Sequence, residues 1–181
     1  LIVLLYLPDT KGLFLRAVAF LGKSGLSVVD ARIHTTSHGW ALDTFVANDA
    51  FGKFASSDSL RKLERDFAAA LTNGKPLPPA PKCRLSRRSR HFPTRPSVQI
   101  QPDESGRAFI LNIVATDRLG LLYAISKVLA KYDVNLQTAK LATLGERAED
   151  VFLIDGAALH DDATLLQLEA ELIEALLPKS N

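Results

Sequence analysis

A turn with the pattern Asp-x-x-Gly occurs twice in this sequence, each time after a run of apolar residues. Asp9 and Gly12 belong to the first copy, and Asp117 and Gly120 belong to the second copy, 108 positions later. After each turn, apolar residues recur at spacings of three and four, which predicts an amphipathic helix. The chain of 181 residues is long enough for two small domains, and the repeat predicts that both share one fold.

Hydrophobic periodicity predicts the order β-α-β-β-α in each copy. Alternating apolar and polar residues indicate the strands, and stripes at helical spacing indicate the helices. The first copy has a predicted strand at 1–7, a helix at 12–24 that Gly25 ends, hairpin strands at 26–35 and 40–47, and a helix that Asp58 caps. The second copy has a predicted strand at 107–115, a helix from 120, hairpin strands at 134–144 and 148–155, and a last helix that Asp161 caps and Pro178 follows.

Several residues match between the two copies outside the turns. With one residue of slip in the hairpin loop, they are Leu21 with Leu129, Lys23 with Lys131, Ala31 with Ala139, Thr35 with Thr143, Asp43 with Asp150, and Phe45 with Phe152. Within 26–35, Val29, Ala31 and Ile33 are predicted to share one face of the strand. Each helix has a single apolar stripe, and each of these strands has one polar face. This combination predicts an α+β fold, with the helices on one side of an antiparallel sheet.

The segment 74–96 breaks this pattern. It is rich in proline and contains seven Lys or Arg but no Asp or Glu, which is typical of a linker or a long excursion. Residues 98–101 alternate briefly after it, and we assign them as the fourth strand of the first domain. The predicted domains are therefore 1–102 and 103–181, and the last strand of the second copy is either missing or supplied from elsewhere.

Composition indicates the cellular location of the protein and which covalent or metal sites it can form. No uninterrupted apolar run is long enough to cross a bilayer, and residues 1–7 lack the basic flank of a secretory signal, so we expect a cytoplasmic protein without membrane contact. The single cysteine, Cys83, cannot form an internal disulfide, and no metal site is predicted. Because the sequence contains no methionine and begins inside a strand-like run, we expect a piece of a longer protein.

The order β-α-β-β-α-β, with Asp-x-x-Gly-Leu at the first strand–helix turn, resembles the ACT domain, a module that commonly binds amino acids. Nearly the whole chain is similar to the tandem C-terminal ACT domains of bacterial bifunctional uridylyltransferase/uridylyl-removing enzymes. The stretches that carry this resemblance are DARIHTT at 30–36, GWALDTF at 39–45, HFP at 91–93, DRLGLL at 117–122 and ATLGERAEDVF at 142–152. One departure is that Lys11 and Leu119 replace the proline that usually precedes the glycine of the turn.

The resemblance implies a regulatory fragment and not a catalytic one. Enzymes of this family add UMP to the PII signal protein with a nucleotidyltransferase domain and remove it with a hydrolase domain, in nitrogen regulation, and glutamine promotes the removal. The parent enzyme is expected to use UTP with Mg or Mn. This sequence lacks both catalytic signatures, so no catalytic residue and no cofactor is assigned to it. The implied partners are glutamine, the parent catalytic domains, PII protein, and a second ACT domain within or between chains.

The doubled turn is the predicted amino-acid site. The first turn of a helix has unpaired backbone N–H groups and a partial positive charge, so it can hold an α-carboxylate. The glycine lets a ligand approach the main chain, and the aspartate can accept hydrogen bonds from an α-ammonium. The candidate ligand-binding residues are Asp9, Gly12, Leu13 and Ser27 in the first copy, and Asp117, Gly120, Leu121 and Asn135 in the second copy.

The two copies are not expected to be equal. In related ACT domains a polar residue early in the second strand completes the site, and Asn135 matches that position, whereas Ser27 is its poorer counterpart. The resemblance therefore favours the site of the second copy. A structural interpretation stays open for both turns, in which Asp9 and Asp117 only cap their helices and the glycines only serve the turn.

Two other functions remain as alternatives. RNA-recognition modules share the order β-α-β-β-α-β, but they stack bases on aromatic residues of their central strands. The first strands here carry aliphatic residues such as Val3 and Leu5, so the stacking platform is missing and nucleic acid is not a predicted partner. The second alternative is a stand-alone tandem ACT regulator of another pathway.

Overall fold

The structure is a computed structural model, and it describes residues 1–49, 51–72 and 94–177. Most of the basic segment predicted at 74–96, the HFP motif at 91–93, Cys83 and Pro178 lie outside the described residues. The strands are β1 (Ile2–Pro8), β2 (Ser27–Arg32), β3 (Trp40–Asn48), β4 (Ser97–Pro102), β5 (Phe109–Thr116), β6 (Asn135–Lys140), β7 (Thr143–Leu144) and β8 (Arg147–Asp155). The helices are α1 (Leu13–Ser24), α2 (Ser57–Thr72), α3 (Leu121–Lys131) and α4 (Asp162–Leu176), with a short 3₁₀ turn at Ala157–His160.

The described strands form one sheet in the order β1-β3-β2-β6-β8-β5-β4, and β7 pairs with β8 beside this path. Every pairing is antiparallel. Helices α2, α1, α3 and α4 contact one another in that order, and their buried residues join the inward side chains of the strands in one hydrophobic core. The predicted α+β class, with helices packed on an antiparallel sheet, is confirmed.

Strand alternation determines which side chains enter the core. In β3, Ala41, Phe45 and Ala47 are buried under the helices, whereas their neighbours along the strand are exposed or half-buried. The same alternation in β8 buries Phe152, which matches Phe45 across the repeat. Both phenylalanines are fully buried, so the two copies share the same anchor of their cores.

The two copies meet where β2 pairs with β6, and Ala31 lies opposite Ala139 at this junction. These two residues match across the repeat, so equivalent positions face each other about a local twofold axis. Their exposed fractions are 0% and 2%, and helices α1 and α3 contact each other on the same side of the sheet. Small side chains allow the two sheets to continue into one without a gap or a clash.

A β-bulge changes the predicted alternation of β2. Its register against β3 shifts between Val28 and Asp30, and β6 shifts in the same way between Leu136 and Thr138. The extra residue turns the side chains of one strand segment to the other face. The prediction that Val29 shares a face with buried Ala31 is therefore wrong, because Val29 is 42% exposed and Val28 packs against the core instead.

The strand Ser97–Pro102 does not join the first copy. It pairs with β5, from Ser97 opposite Val114 to Pro102 opposite Phe109, so its assignment as the fourth strand of the first domain is wrong. It supplies the fourth strand of the second copy, and the predicted domain boundary after residue 102 falls inside this hairpin.

The connecting turn explains this pairing. The Asp103 N–H donates to the Ala108 carbonyl at 2.9 Å, and the Asp103 carboxylate accepts from the Ala108 N–H at 3.1 Å. A loop this short closes at low entropic cost, which favours pairing with the next strand in the chain over pairing with distant β1.

Gly25 is the C-cap of α1, as predicted, and of the two aspartates predicted as N-caps one is confirmed. Asp161 caps α4, since its carboxylate accepts from the Thr164 N–H at 2.8 Å. Asp58 lies inside the first turn of α2, and the hydroxyl of Ser56 accepts from the Ser59 N–H at 3.2 Å in its place. A serine hydroxyl and an aspartate carboxylate are comparable caps, so composition alone does not choose between neighbouring positions.

The open face of the first copy carries an apolar surface. Ile2, Leu4 and Tyr6 of β1 are exposed, and the Tyr6 ring stacks on Trp40 of β3 with ring centroids 4.9 Å apart. Val3 and Leu5, the aliphatic residues on which the absence of a stacking platform was predicted, lie on the other face of β1, toward the helices. Aromatic residues are therefore present on the open face of β1 and β3. The prediction that the first strands lack aromatic residues for stacking RNA bases does not hold for this face.

Across the described ranges 1–49, 51–72 and 94–177, every helix is too short or too polar to cross a lipid bilayer.

Disulfide cross-linking is expected to distinguish the two placements of β4. Gln99 lies opposite Asn112 in the observed register. In a Cys83→Ser background, we expect Gln99→Cys with Asn112→Cys to form a disulfide on mild oxidation, because directly opposed strand residues bring their Cα atoms within reach of this bond. The matched control pairs Gln99→Cys with Leu4→Cys on β1. Efficient cross-linking of the control and not of the first pair, seen by mass spectrometry, would contradict the observed sheet order.

Candidate functional site

A glycine is the N-cap residue of the first helix in each copy, and no side-chain hydrogen bond caps either helix. Gly12 and Gly120 have φ angles of 77° and 83°, in the left-handed region that favours glycine, and they are the N-cap residues of α1 and α3. The interpretation in which Asp9 and Asp117 cap these helices is therefore not what the structure shows. The Leu13 and Leu121 N–H groups donate to the Thr10 and Arg118 carbonyls, at 2.9 Å and 3.1 Å. The N–H groups that follow in each first turn have no side-chain cap and can meet a ligand with a negative charge.

Each turn is held against its own hairpin by the same contact. The Asp9 N–H donates to the Gly39 carbonyl at 2.9 Å, and the Asp117 N–H donates to the Glu146 carbonyl at 2.8 Å. The Asp9 carboxylate also accepts a hydrogen bond from the Thr35 hydroxyl at 2.6 Å. These bonds place the aspartate of the turn beside the loop between the second and third strands.

A cavity of about 280 Å³ opens at the first turn. The first copy contributes the turn 9–12, the start of α1 and Asp43 of β3. The second copy contributes the end of α3 and residues 133–136, so Asn135 lies in this cavity. Leu13 is buried in its wall. The first candidate site is therefore built by both copies together.

The second turn opens onto a smaller cavity of about 50 Å³. The second copy contributes the turn 117–120, buried Leu121 and Asp150 of β8, and the first copy contributes Ser27 and Val28 of β2. The arrangement repeats that of the first cavity with the roles of the copies exchanged. A volume of this size holds a few water molecules and is tight for an amino acid.

Asn135 and Ser27 each line the cavity at the turn of the other copy, whereas the prediction placed each residue at the turn of its own copy. Asn135 was expected to complete the turn of its own copy, but it lines the cavity of Asp9 and Gly12, and Ser27 lines the cavity of Asp117. The physical reason is the β2–β6 junction, which places the start of each second strand beside the turn of the other copy. Asn135, which favoured the second turn in the prediction, therefore lines the first cavity.

Two buried carboxyls face the cavities, and the sequence analysis did not assign them a role. Asp43 is 1% exposed and Asp150 is 6% exposed, and each Oδ1 accepts one backbone N–H at 3.3 Å, from His34 and Ala142 respectively. Burial raises the pKa of Asp43 to about 6 and that of Asp150 to about 7, and the turn aspartate of the same copy adds to both increases. Their match across the repeat, at inward positions of alternating strands, was the signal that could have found them.

Charged groups at the rims differ between the cavities. Lys11 and Asp133 form an ion pair of 2.7 Å across the two copies at the first cavity, where both side chains are exposed, so the pair contributes little stability. At the second cavity, Arg118 donates from Nη2 to the Ala175 carbonyl at 2.6 Å, near the end of α4. Burial raises the pKa of Asp117 beside it, although the Arg118 N–H opposes this shift.

No group of three or more His, Cys, Asp or Glu side chains in the described part of the chain is arranged to hold a metal ion.

The chain is similar over most of its length to bacterial proteins named bifunctional uridylyltransferase/uridylyl-removing enzyme. The protein of Chromobacterium violaceum is 50% identical over 177 residues, covering 96% of this chain and 20% of that relative. The protein of Ralstonia nicotianae is 46% identical over 179 residues, covering 96% of this chain and 21% of the relative. The chain therefore spans about a fifth of the length of these curated relatives, and it matches a C-terminal fragment of them. No protein-family model matches the chain.

Similar solved structures share little sequence with this chain. The regulatory subunit of aspartate kinase from Thermus thermophilus is 14% identical, with a TM-score of 0.30, and the match covers 97% of this chain and 88% of that one. An unknown protein from Galdieria sulphuraria is 16% identical, with a TM-score of 0.30, covering 94% and 91% of the two chains. Matches with TM-scores this low support no conclusion about this chain.

Removal of the Asp150 carboxyl is expected to flatten the pH dependence of stability. Burial raises its pKa from 3.8 to about 7, so the folded state keeps a proton that the unfolded state has lost. The free energy of unfolding therefore falls as the pH rises from about 4 to about 7, by up to about 1.4 kcal/mol per pH unit for one proton. We expect Asp150→Asn to remove this part of the slope in urea unfolding across that range.

The control for this measurement is Asp66→Asn, which removes an exposed carboxylate paired with Lys62 and should keep the wild-type slope. An Asp150→Asn slope equal to that of the wild type would show that the buried carboxyl is not held in its protonated form.

Proposed function

We propose that this chain, which belongs to the bifunctional uridylyltransferase/uridylyl-removing enzyme family, is a regulatory part of such an enzyme and binds an amino acid between its two copies. The observation that supports this most strongly is the first cavity. There the start of α1, which no side chain caps, lines one space of about 280 Å³ together with Asp9 and Asn135.

The chemistry of this cavity suits a zwitterion. The partial positive charge at the start of α1 attracts an α-carboxylate, and the Asp9 carboxylate attracts an α-ammonium. Asn135 offers both a donor and an acceptor from the other copy. The ligand that we propose is glutamine, on the ground of the family resemblance, and the second cavity at Asp117 is a narrower candidate for the same chemistry.

A ligand in a cavity shared by both copies is suited to regulation. It binds only the arrangement in which Gly12 and Asn135 face each other, so its binding stabilises that packing of the two copies. In the complete enzyme, we propose that this change favours removal of UMP from PII protein over its addition in nitrogen regulation. The catalytic domains, which use UTP with Mg or Mn, are proposed to lie in the remaining four-fifths of proteins like these relatives.

The alternative of a stand-alone tandem regulator receives less support. The relatives are about five times as long as the stretch that matches, and they carry the name of one enzyme. The RNA-binding alternative gains the exposed pair Tyr6 and Trp40, but their neighbours Ile2, Leu4 and Leu42 are aliphatic and exposed, which is typical of a protein contact surface. We therefore retain amino-acid binding as the proposed function.

Calorimetry with a double-mutant cycle is expected to test both the binding and its location. We expect glutamine to bind the 181-residue chain, and Asp9→Ala and Asn135→Ala each to weaken binding by about tenfold, since each removes a hydrogen bond to a charged or polar ligand group. Because both side chains serve one bound ligand, their effects should not be additive. Asn135→Ala combined with Asp117→Ala should be additive.

Coupling of Asn135 to Asp117 and not to Asp9 would place the ligand within the second copy, as the family resemblance predicts. Absence of any heat with glutamine or another amino acid would contradict the proposed function itself. In the complete enzyme, Asn135→Ala should raise the glutamine concentration at which uridylyl removal is favoured.

A further inference from the structure

The first cavity contains a carboxyl that the zwitterion does not require. Asp43 lies on β3 between Ala41 and Phe45, points toward the helices, and is 1% exposed. It lines the same cavity as the Asp9 turn and Asn135. The Asp9 carboxylate, by contrast, is exposed and already accepts a hydrogen bond from Thr35.

The Asp43 carboxyl keeps capacity for a ligand. Its described hydrogen bond is the one from the His34 N–H to Oδ1 at 3.3 Å, which is long for this type of bond. An ionised carboxylate has about four lone-pair sites, so Oδ2 and part of Oδ1 remain available to a donor in the cavity. The lining of the cavity also includes the aliphatic residues Leu13, Ile33 and Leu136.

The same arrangement occurs in the second copy, which indicates that the buried carboxyl is not incidental. Asp150 lies at the equivalent inward position of β8, and its Oδ1 accepts the Ala142 N–H at 3.3 Å. Burying a carboxyl among apolar side chains costs free energy, and an uncharged residue at either position would give a more stable core. Because both copies keep a buried carboxyl beside the cavity despite this loss of stability, we infer that the carboxyl has a role there.

We propose that Asp43 is the specificity-determining residue of the first cavity, where its carboxyl accepts a hydrogen bond from a side-chain amide of the bound amino acid and excludes a ligand with an acidic side chain. This inference rests on the proposed function, since it concerns the ligand of the same cavity. With the α-carboxylate at the start of α1 and the α-ammonium at Asp9, as proposed above, the ligand side chain would meet Asp43, which lines the same cavity.

Charge explains the exclusion. An acidic side chain would place a second carboxylate against Asp43, which is 1% exposed, so repulsion between the like charges would be poorly screened. An amide of the same size offers two N–H donors and no charge, so it bonds to the carboxyl without repulsion. Discrimination by a repelled competitor is a common route to specificity between ligands of equal shape.

Calorimetry with glutamine and glutamate tests this assignment on the full 181-residue chain. We expect the wild type to bind glutamine more tightly than glutamate, and Asp43→Asn to reduce the ratio of the two affinities by about tenfold or more, mainly through tighter glutamate binding. Asparagine keeps the shape of the side chain and an acceptor for the His34 N–H. Asp66→Asn, on the exposed surface of α2, should leave the ratio unchanged.

The outcomes separate this inference from the proposed function. A wild type that binds neither ligand overturns the proposed function. A wild type that binds glutamine, together with a folded Asp43→Asn variant that keeps the wild-type ratio, overturns the role of Asp43 alone. If Asp43→Asn fails to fold by its thermal unfolding curve, Asp43→Ser provides the same comparison, because it also removes the charge and keeps an acceptor.

A pH series on the wild type gives the same answer without a substitution. Protonation removes the charge of Asp43, so the preference for glutamine over glutamate should shrink as the pH falls from about 8 to about 5. The other ionisable groups that face Asp43 or line the cavity are Asp9, Lys11, His34 and Asp133. A preference that stays constant over this range contradicts the proposal, as does one that changes equally in Asp43→Asn.

Discussion

Both candidate sites depend on the antiparallel contact between β2 and β6. Ala31 and Ala139 face each other there, and their small side chains let the two sheets join while α1 packs against α3. Because equivalent residues meet at this junction, each second strand begins beside the turn of the other copy. Neither copy lines a complete cavity alone, so the junction determines the sites as well as the sheet.

Local patterns in the sequence predicted most of the elements. The doubled turn, the alternation of β3 and β8, and the helical stripes after Gly12 and Gly120 are short-range signals, and the structure confirms the elements they indicate. The repeat added long-range information, because two copies of one pattern imply two copies of one fold. Even the bulges in β2 and β6 lie at equivalent positions, although alternation alone does not reveal where an extra residue enters a strand.

Contacts between distant segments account for what the sequence did not predict. The strand Ser97–Pro102 fits either copy by composition, and the short turn closed by Asp103 decides for the second. The site residues Asn135 and Ser27 were assigned correctly as early residues of the second strands, but which turn each one meets depends on the β2–β6 junction. A repeat in one chain shows that two units are alike and leaves open how they pair.

The two cavities share some residues that match across the repeat and differ in others. The turn aspartates and the buried carboxyls Asp43 and Asp150 occur in both, since they belong to the strands and turns that build each copy. The groups supplied across the junction differ, because Asn135 enters the first cavity and Ser27 enters the second. The volumes of the two cavities also differ, at about 280 Å³ and about 50 Å³. A duplicated fold can thus keep the same carboxyls in both halves while the cavities beside them differ in volume.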